Sequence, residues 1–343
     1  MDQETNGEGM GLRPGPWART LAGIGLTVGV AVSAGLIAWT GWHGIGRLLA
    51  RAGMGLLWLI PLRVATIGLD TRGWRRLLPA RAPVPGPVLL GLGMIRDAIN
   101  TLLPVARVGG EMVAVRFLRR RGMAASAASA SVIVETTVTL VLQVLATMAG
   151  IMALLPDIGA GHLVPRMLVG LAVGIGAVAG FVAVQLRGGL SRCLTRGAEI
   201  LAGAAGASFC GLDRRLRLLY RQKGALAACG FWQGLSFVAS AGEILVVARL
   251  MGIRLGYGHA LIWESLLQAV HSLSFVIPGA LGVQEGGFVM LGQALGVPPD
   301  AALGLALARR FRQVAFGLPV LISWRLLERR RVAAGLAVPL VGG

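Results

Sequence analysis

The chain has 343 residues, of which 55% are hydrophobic and only 14% charged. A soluble domain cannot hide so much apolar surface, and runs of about 20 apolar residues recur, so the composition marks an integral membrane protein. The formal charge of +18 is almost all arginine, Lys223 being the lone lysine; the arginines flank apolar runs, which argues for membrane topology and against nucleic acid.

Residues 1–19 form a polar tail containing Asp2, Glu4 and Glu8. The apolar run at 20–41 is long for a signal peptide and lacks a small-residue cleavage site before Trp42, so it predicts a first spanning helix. Further apolar runs fall at roughly 44–69, 88–103, 124–155, 163–186, 225–248, 259–277 and 299–325. Segment 71–87 holds four arginines without an acid, and 187–223 holds seven arginines and Lys223 against Glu199 and Asp213. Both belong in the cytoplasm by the positive-inside bias, as does the tail around Arg325, Arg329 and Arg331. Leu212–Tyr220 alternates arginine with leucine and predicts an interfacial helix near anionic headgroups.

Parity then constrains the path. Two long helices, 124–155 and 163–186, separate two cytoplasmic loops, so the segment 88–121 must return to its starting side. Its second arm, about 112–118, gives roughly 11–14 Å of helix, too short for a ~30 Å hydrocarbon core. A re-entrant hairpin fits, with Arg119, Arg120 and Arg121 anchoring its exit. The same count makes 259–296 a hairpin entering from the other face. The expected fold class is an all-α integral membrane protein with about six spanning helices plus two re-entrant helical hairpins in an inverted repeat. Repeat 1 covers about 44–155 and repeat 2 about 225–327, within a single membrane domain from residue 20 to 343.

The hairpin tips carry the unusual residues. Pro104-Val-Ala-Arg-Val-Gly-Gly-Glu111 and Pro278-Gly-Ala-Leu-Gly-Val-Gln-Glu285 each place a carboxylate seven residues after a proline. Gly122 and Gly296 follow eleven residues after each Glu, and Glu135 and Arg309 a further thirteen. Pro104, Gly109, Gly110, Pro278, Gly282, Gly286 and Gly287 are the expected helix-breaking positions. A broken, charged segment at corresponding places in two halves points to a transport site.

Glu111 and Glu285 head the candidates, either as counter-charges for a ligand at a half-helix start or as capping carboxylates. Glu135, Thr139 and Gln143 make one polar stripe at helical spacing, which Arg309 and Gln313 repeat. An ion pair between Glu135 and Arg309 across the pseudo-two-fold axis is expected. Arg96, Asp97 and Asn100 precede the first proline, as His271, Ser272 and Ser274 precede the second; adjacent Arg96 and Asp97 must face different ways. Gln284 completes the candidate set, with His271 either a proton carrier or a satisfied core histidine. Glu243 and Glu264 are further intramembrane acids, with Arg249 or Arg63 as expected partners.

The chain has no GxSxG, HExxH or P-loop sequence, its four histidines form no metal set, and Cys193, Cys210 and Cys229 have no zinc or redox spacing. No enzyme activity, cofactor or metal is expected, and the cysteines are expected to be free thiols.

Arg96–Glu135 and Phe275–Arg309, with P-V-A-R-V-G-G-E and F-V-I-P-G-A-L-G-V-Q-E-G-G at their breaks, resemble the membrane domain of bacterial lysylphosphatidylglycerol synthases and their stand-alone flippase-like relatives. The second half resembles the branch associated with hopanoid biosynthesis. The resemblance covers essentially everything after the N-terminal tail. It implies movement of an amphiphilic lipid (phospholipid, aminoacyl-phospholipid or hopanoid) between leaflets of the bacterial inner membrane, with cytoplasmic termini. The aminoacyl-transferring domain of that family is a separate module and is not expected here. Membrane lipids are the implied partners. The alternative is a non-transporting scaffold or accessory subunit for lipid-biosynthesis enzymes.

Overall fold

The computed structural model describes residues 42–80, 82, 84–103, 109–158, 211–273 and 283–333, with isolated positions between 172 and 187. The expected first span at 20–41, much of the 163–186 run, the basic segment up to residue 210, and Pro104, Pro278 and Gly282 lie outside the described residues.

Every regular element among the described residues is helical. Helix α1 (Trp42–Ala52) continues through a 3₁₀ stretch (Gly53–Trp58) into α2 (Leu59–Arg75). Helices α3 (Gly86–Leu102), α4 (Gly109–Arg120) and α5 (Ala125–Ile158) follow. After α6 (Leu212–Arg221) and α7 (Lys223–Met251) come α8 (Tyr257–Leu273), α9 (Val283–Ala294) and α10 (Pro299–Ala333). Among the described residues, three stretches are long and apolar enough to cross a membrane: Gly46–Arg75, Ala125–Leu154 and Lys223–Met251. Helix α10 has the length, but Arg309, Arg310 and Arg312 sit in its middle.

The succession α3–α4–α5 recurs as α8–α9–α10. Helices α3 and α8 have 17 residues each, α4 and α9 have 12 each, and α5 and α10 have 34 and 35. Each short helix stops at a glycine in the left-handed region, Gly122 at φ 84° and Gly296 at φ 72°. In each, the next amide reaches back to close the turn: Met123 N to Leu118 O at 3.2 Å, and Val297 N to Gly292 O at 2.7 Å. This six-to-one closure requires a residue free to adopt positive φ. The second arm of the first hairpin is longer than the expected 112–118, because the glycines at 109 and 110 join the helix instead of ending it. At 12 residues it spans about 18 Å, still short of a ~30 Å core.

Apolar packing separates into groups at the two ends of α2. Leu59, at its start, packs with Ala52, Leu56, Met251, Ala260, Val297 and Ala301. Trp74, at its other end, packs with Leu78, Leu89, Leu118 and Met123. About 15 residues of helix, roughly 22 Å, lie between Leu59 and Trp74. The turn after α4 therefore belongs to one end and the turn after α9 to the other. A third group joins Leu77 to Leu212 and Leu216 of α6. Both leucines are fully buried while Arg214, Arg215, Arg217 and Arg221 are exposed, as the alternation in the sequence predicts. Arg120 reaches Glu328 at 3.7 Å, tying the close of α4 to the last turns of α10.

Glycine permits the closest helix approaches. A Cβ on Gly292 would lie 2.7 Å from the Ala302 methyl, and one on Gly317 would lie 2.6 Å from Leu102. Outside this packing, large apolar side chains such as Val141, Leu145, Met152, Leu318 and Ile322 are exposed, the pattern of a surface made to face hydrocarbon.

Candidate functional site

Between the two end clusters lies a cavity of about 450 Å³, walled by residues of α2, α3, α4, α5, α7, α8 and α10. Its lining includes eight charged and five amide side chains, and an isolated charge inside a membrane domain is costly. The chain meets that cost by pairing: five arginines each hold at least one carboxylate.

Arg96 of α3 is the hub of the first half. Its Nε lies 2.7 Å from Glu111 of α4, and its Nη2 lies 2.5 Å from Glu135 of α5. The guanidinium stacks over the Trp74 ring at 5.4 Å. Gln233 of α7 donates to the other Glu135 oxygen at 2.8 Å. Asn100, one turn on from Arg96, turns towards α4: its Oδ1 accepts from Gly110 N at 3.0 Å and its Nδ2 donates to Glu111 at 3.3 Å. Asn100 thus serves the start of α4 as an external cap. Glu111 occupies the first turn of α4, where the helix dipole favours its charge, so the capping and counter-charge readings both apply. Gly110 permits this approach, since a Cβ there would lie 2.7 Å from Arg96 O and from Asn100 Oδ1.

Asp97 faces away from its neighbour, as adjacent helical positions must. It takes both prongs of Arg63 on α2, at 2.5 and 3.3 Å. Arg309 of α10 holds Glu264 of α8 at 2.6 and 3.2 Å. Arg312 holds Glu243 of α7 at 3.3 Å, and Thr66 sits 3.5 Å from the same carboxylate. The expected stripe of Glu135, Thr139 and Gln143 lines the cavity, and Gln143 donates to the Gln268 carbonyl of α8 at 2.6 Å.

Seven of the sequence-predicted residues therefore converge on this cavity: Arg96, Asp97, Asn100, Glu111, Glu135, Arg309 and Gln313. Two expectations are corrected. Glu135 and Arg309 do not pair with each other, because each finds an opposite charge on the hairpin arm packed against its own helix. Glu285 does not share the cavity with Glu111. It is buried at the start of α9 and held at 3.0 Å by Arg310, whose Nη1 also donates to Gln313 at 3.1 Å. Adjacent Gln284 is likewise buried outside the lining. Gly286 and Gly287 lie inside α9 and do not break it. His271 falls in α8, but its side chain lies outside the described residues. The partners of Glu243 and Glu264 are Arg312 and Arg309, not Arg249 or Arg63.

Sequence reasoning named Arg63 only as a partner for Glu243 or Glu264, and did not single out Asp70, Gln233 or Arg312. Arg63 interrupts an apolar run and Arg312 lies one turn from Arg309, which were available signals. Gln233 and Asp70 carried no signal beyond polarity.

The family model for the lysylphosphatidylglycerol synthase transmembrane region matches residues 26–320. The chain belongs to that family, and with its apolar helices it is a membrane protein. Neither the curated proteins nor the solved structures contain a match to the chain.

Proposed function

We propose that the chain moves an amphiphilic lipid between membrane leaflets, its headgroup passing through the central cavity while its tails stay in hydrocarbon. The observation that carries this reading is the cavity itself: a charged space of about 450 Å³ inside a membrane domain related to a lipid synthase's membrane region. A lipid headgroup crossing a bilayer loses its hydration at a cost of many kcal/mol per charge. The ionic lining replaces that hydration, and arginine forks match phosphate oxygens two at a time. Because every one of these arginines is already paired, the cavity tolerates the intervals between headgroups.

In this reading the protein has about six spanning helices and two re-entrant hairpins related by inversion. The equal element lengths support the repeat, and the placement of the turns after α4 and α9 in opposite packing clusters supports the inversion. The arginines exposed on α6, beside the cluster that holds Leu77, support a cytoplasmic placement for that end and hence for the C-terminus of α10. The protein acts in the bacterial inner membrane without catalysis or cofactor, and phospholipids, aminoacyl-phospholipids and hopanoids are the candidate cargoes. The alternative, a scaffold for lipid-biosynthesis enzymes, draws on the exposed arginine face of α6 but leaves the ionic cavity without a role.

The test is headgroup accessibility in proteoliposomes. Vesicles carrying a headgroup-labelled lipid in both leaflets are exposed to an impermeant quencher. Vesicles with the protein lose the inner-leaflet signal and protein-free vesicles keep it. Protection in both for every candidate lipid would remove the transport reading.

A further inference from the structure

Asp70 is the carboxylate that the ionic network leaves over. It sits on α2 and lines the cavity. Arg63, on the same helix, is occupied by Asp97, and Arg96 of α3 is shared between Glu111 and Glu135. Among the described residues Asp70 makes no ion pair of its own. Arg63 attracts it along its own helix, and the other groups around it come from α3, α5 and α7. Glu135 faces it from α5 with like charge, Arg96 from α3, and Ser236 and the Cys229 thiol from α7.

Ser236 makes the place unusual. Its hydroxyl lies within hydrogen-bonding reach of Asp70 and also 3.1 Å from the Thr66 carbonyl. A hydroxyl has one proton to donate and lone pairs to accept with. When Asp70 is ionised, Ser236 donates to it. When Asp70 carries a proton, Ser236 accepts that proton's hydrogen bond and turns its own towards Thr66 O. Both states of the carboxyl are thus satisfied with a rotation of one hydrogen and no movement of the chain. An unpaired carboxylate at membrane depth is neutralised by an ion or by a proton. No three carboxylate, histidine or cysteine side chains converge as metal ligands among the described residues, which favours the proton.

We propose that Asp70 is a proton-binding site of the cavity, and that its loading and unloading couple proton movement to the passage of the headgroup. One proton is taken from one aqueous face, bonded to a carboxyl oxygen, and released to the other, with no other bond made or broken. The coupling rests on the lipid-moving reading; the proton site does not.

Infrared difference spectroscopy of the full chain in lipid bilayers, titrated from alkaline to acidic buffer, reads the site without any transport. At a pH where solvent-exposed carboxylates are still ionised, the wild type gains a protonated-carboxyl stretching band that Asp70→Asn lacks and Glu111→Gln keeps. Ser236→Ala shifts the frequency of that band, because it loses its hydrogen-bonding partner. Absence of the band in the wild type, or its survival undiminished in Asp70→Asn, overturns the site. Proteoliposomes under an imposed pH gradient read the coupling: the gradient changes the lipid redistribution rate several-fold in the wild type and not in Asp70→Asn. A wild type insensitive to the gradient overturns the coupling alone. A wild type that moves no lipid removes the coupling together with the transport reading, while the infrared result still decides the proton site.

Discussion

Arg309 of α10 grips Glu264 of α8 with both terminal nitrogens, at 2.6 and 3.2 Å, and Glu264 is fully buried. Gln268, one turn along α8, donates to the same carboxylate at 3.0 Å. The pair fastens α8 to the long helix α10. Removing one partner of a buried pair costs about 3–5 kcal/mol, because the other charge is stranded. Glu264→Gln and Arg309→Gln should each destabilise the fold by that order, and the double variant by clearly less than their sum. A double-mutant cycle on thermal or denaturant unfolding measures the difference. Additive effects would show that the two charges are stabilised separately.

Arg96 holds two carboxylates, so its loss differs in kind from the loss of either. Glu111→Gln leaves the Arg96–Glu135 pair, and Glu135→Gln leaves the Arg96–Glu111 pair. Arg96→Gln strands both acids next to each other. It should lower the melting temperature more than either Glu→Gln change, and Glu135→Gln in the Arg96→Gln background should recover part of the loss. Equal melting temperatures for the three single variants would contradict the shared geometry.

The two turn glycines make a matched prediction. Gly122 and Gly296 hold positive φ, where a Cβ costs about 1–2 kcal/mol. Gly286, inside α9 at ordinary helical φ, has open space where a Cβ would go. Gly122→Ala and Gly296→Ala should each destabilise by about 1–2 kcal/mol. Gly286→Ala should be neutral or mildly stabilising through helix propensity. Unfolding midpoints of the three variants decide this, and a larger loss for Gly286→Ala would contradict the turn geometry.

Topology is testable at described positions. Single cysteines replacing Arg120 and Arg215 should react with an impermeant thiol reagent only from the cytoplasmic side. A cysteine replacing Tyr257, which is 41% exposed at the start of α8, should react only from the opposite side. Reactivity of positions 120 and 215 from opposite faces would remove the re-entrant path of α3–α4 and the inverted repeat with it.

How much of this was readable from the chain differs by level. Some helix limits were readable because their causes are local: Gly122 and Gly296, at matching offsets, close helices through φ values that other residues resist, whereas the breaks expected at Gly109, Gly110, Gly286 and Gly287 fall inside helices. The stripe of Glu135, Thr139 and Gln143 was readable because helical periodicity puts all three on one face. Ion-pair partners were not. Equal offsets placed Glu135 and Arg309 at matching positions in two helices, but matching positions do not imply contact. The nearest opposite charge came from the arm folded against each helix, Arg96 in one half and Glu264 in the other, with the signs exchanged. The same limit applies to Glu285, whose match to Glu111 in spacing did not extend to its surroundings. Arg310, adjacent to Arg309, claims it instead. Such choices depend on tertiary packing between segments far apart in sequence, which no local pattern encodes.

The central claim, that headgroups cross through the cavity, is tested most directly by filling the cavity. Thr139 lines it with an exposed side chain whose hydroxyl donates only to the Glu135 carbonyl of its own helix, at 3.1 Å. Val141, two residues on, is 38% exposed outside the lining. In proteoliposomes with headgroup-labelled lipid, Thr139→Trp should reduce inner-leaflet quenching to the protein-free level, while Val141→Trp should quench as the wild type does. Wild-type quenching by Thr139→Trp, with the protein folded, would contradict passage through this cavity.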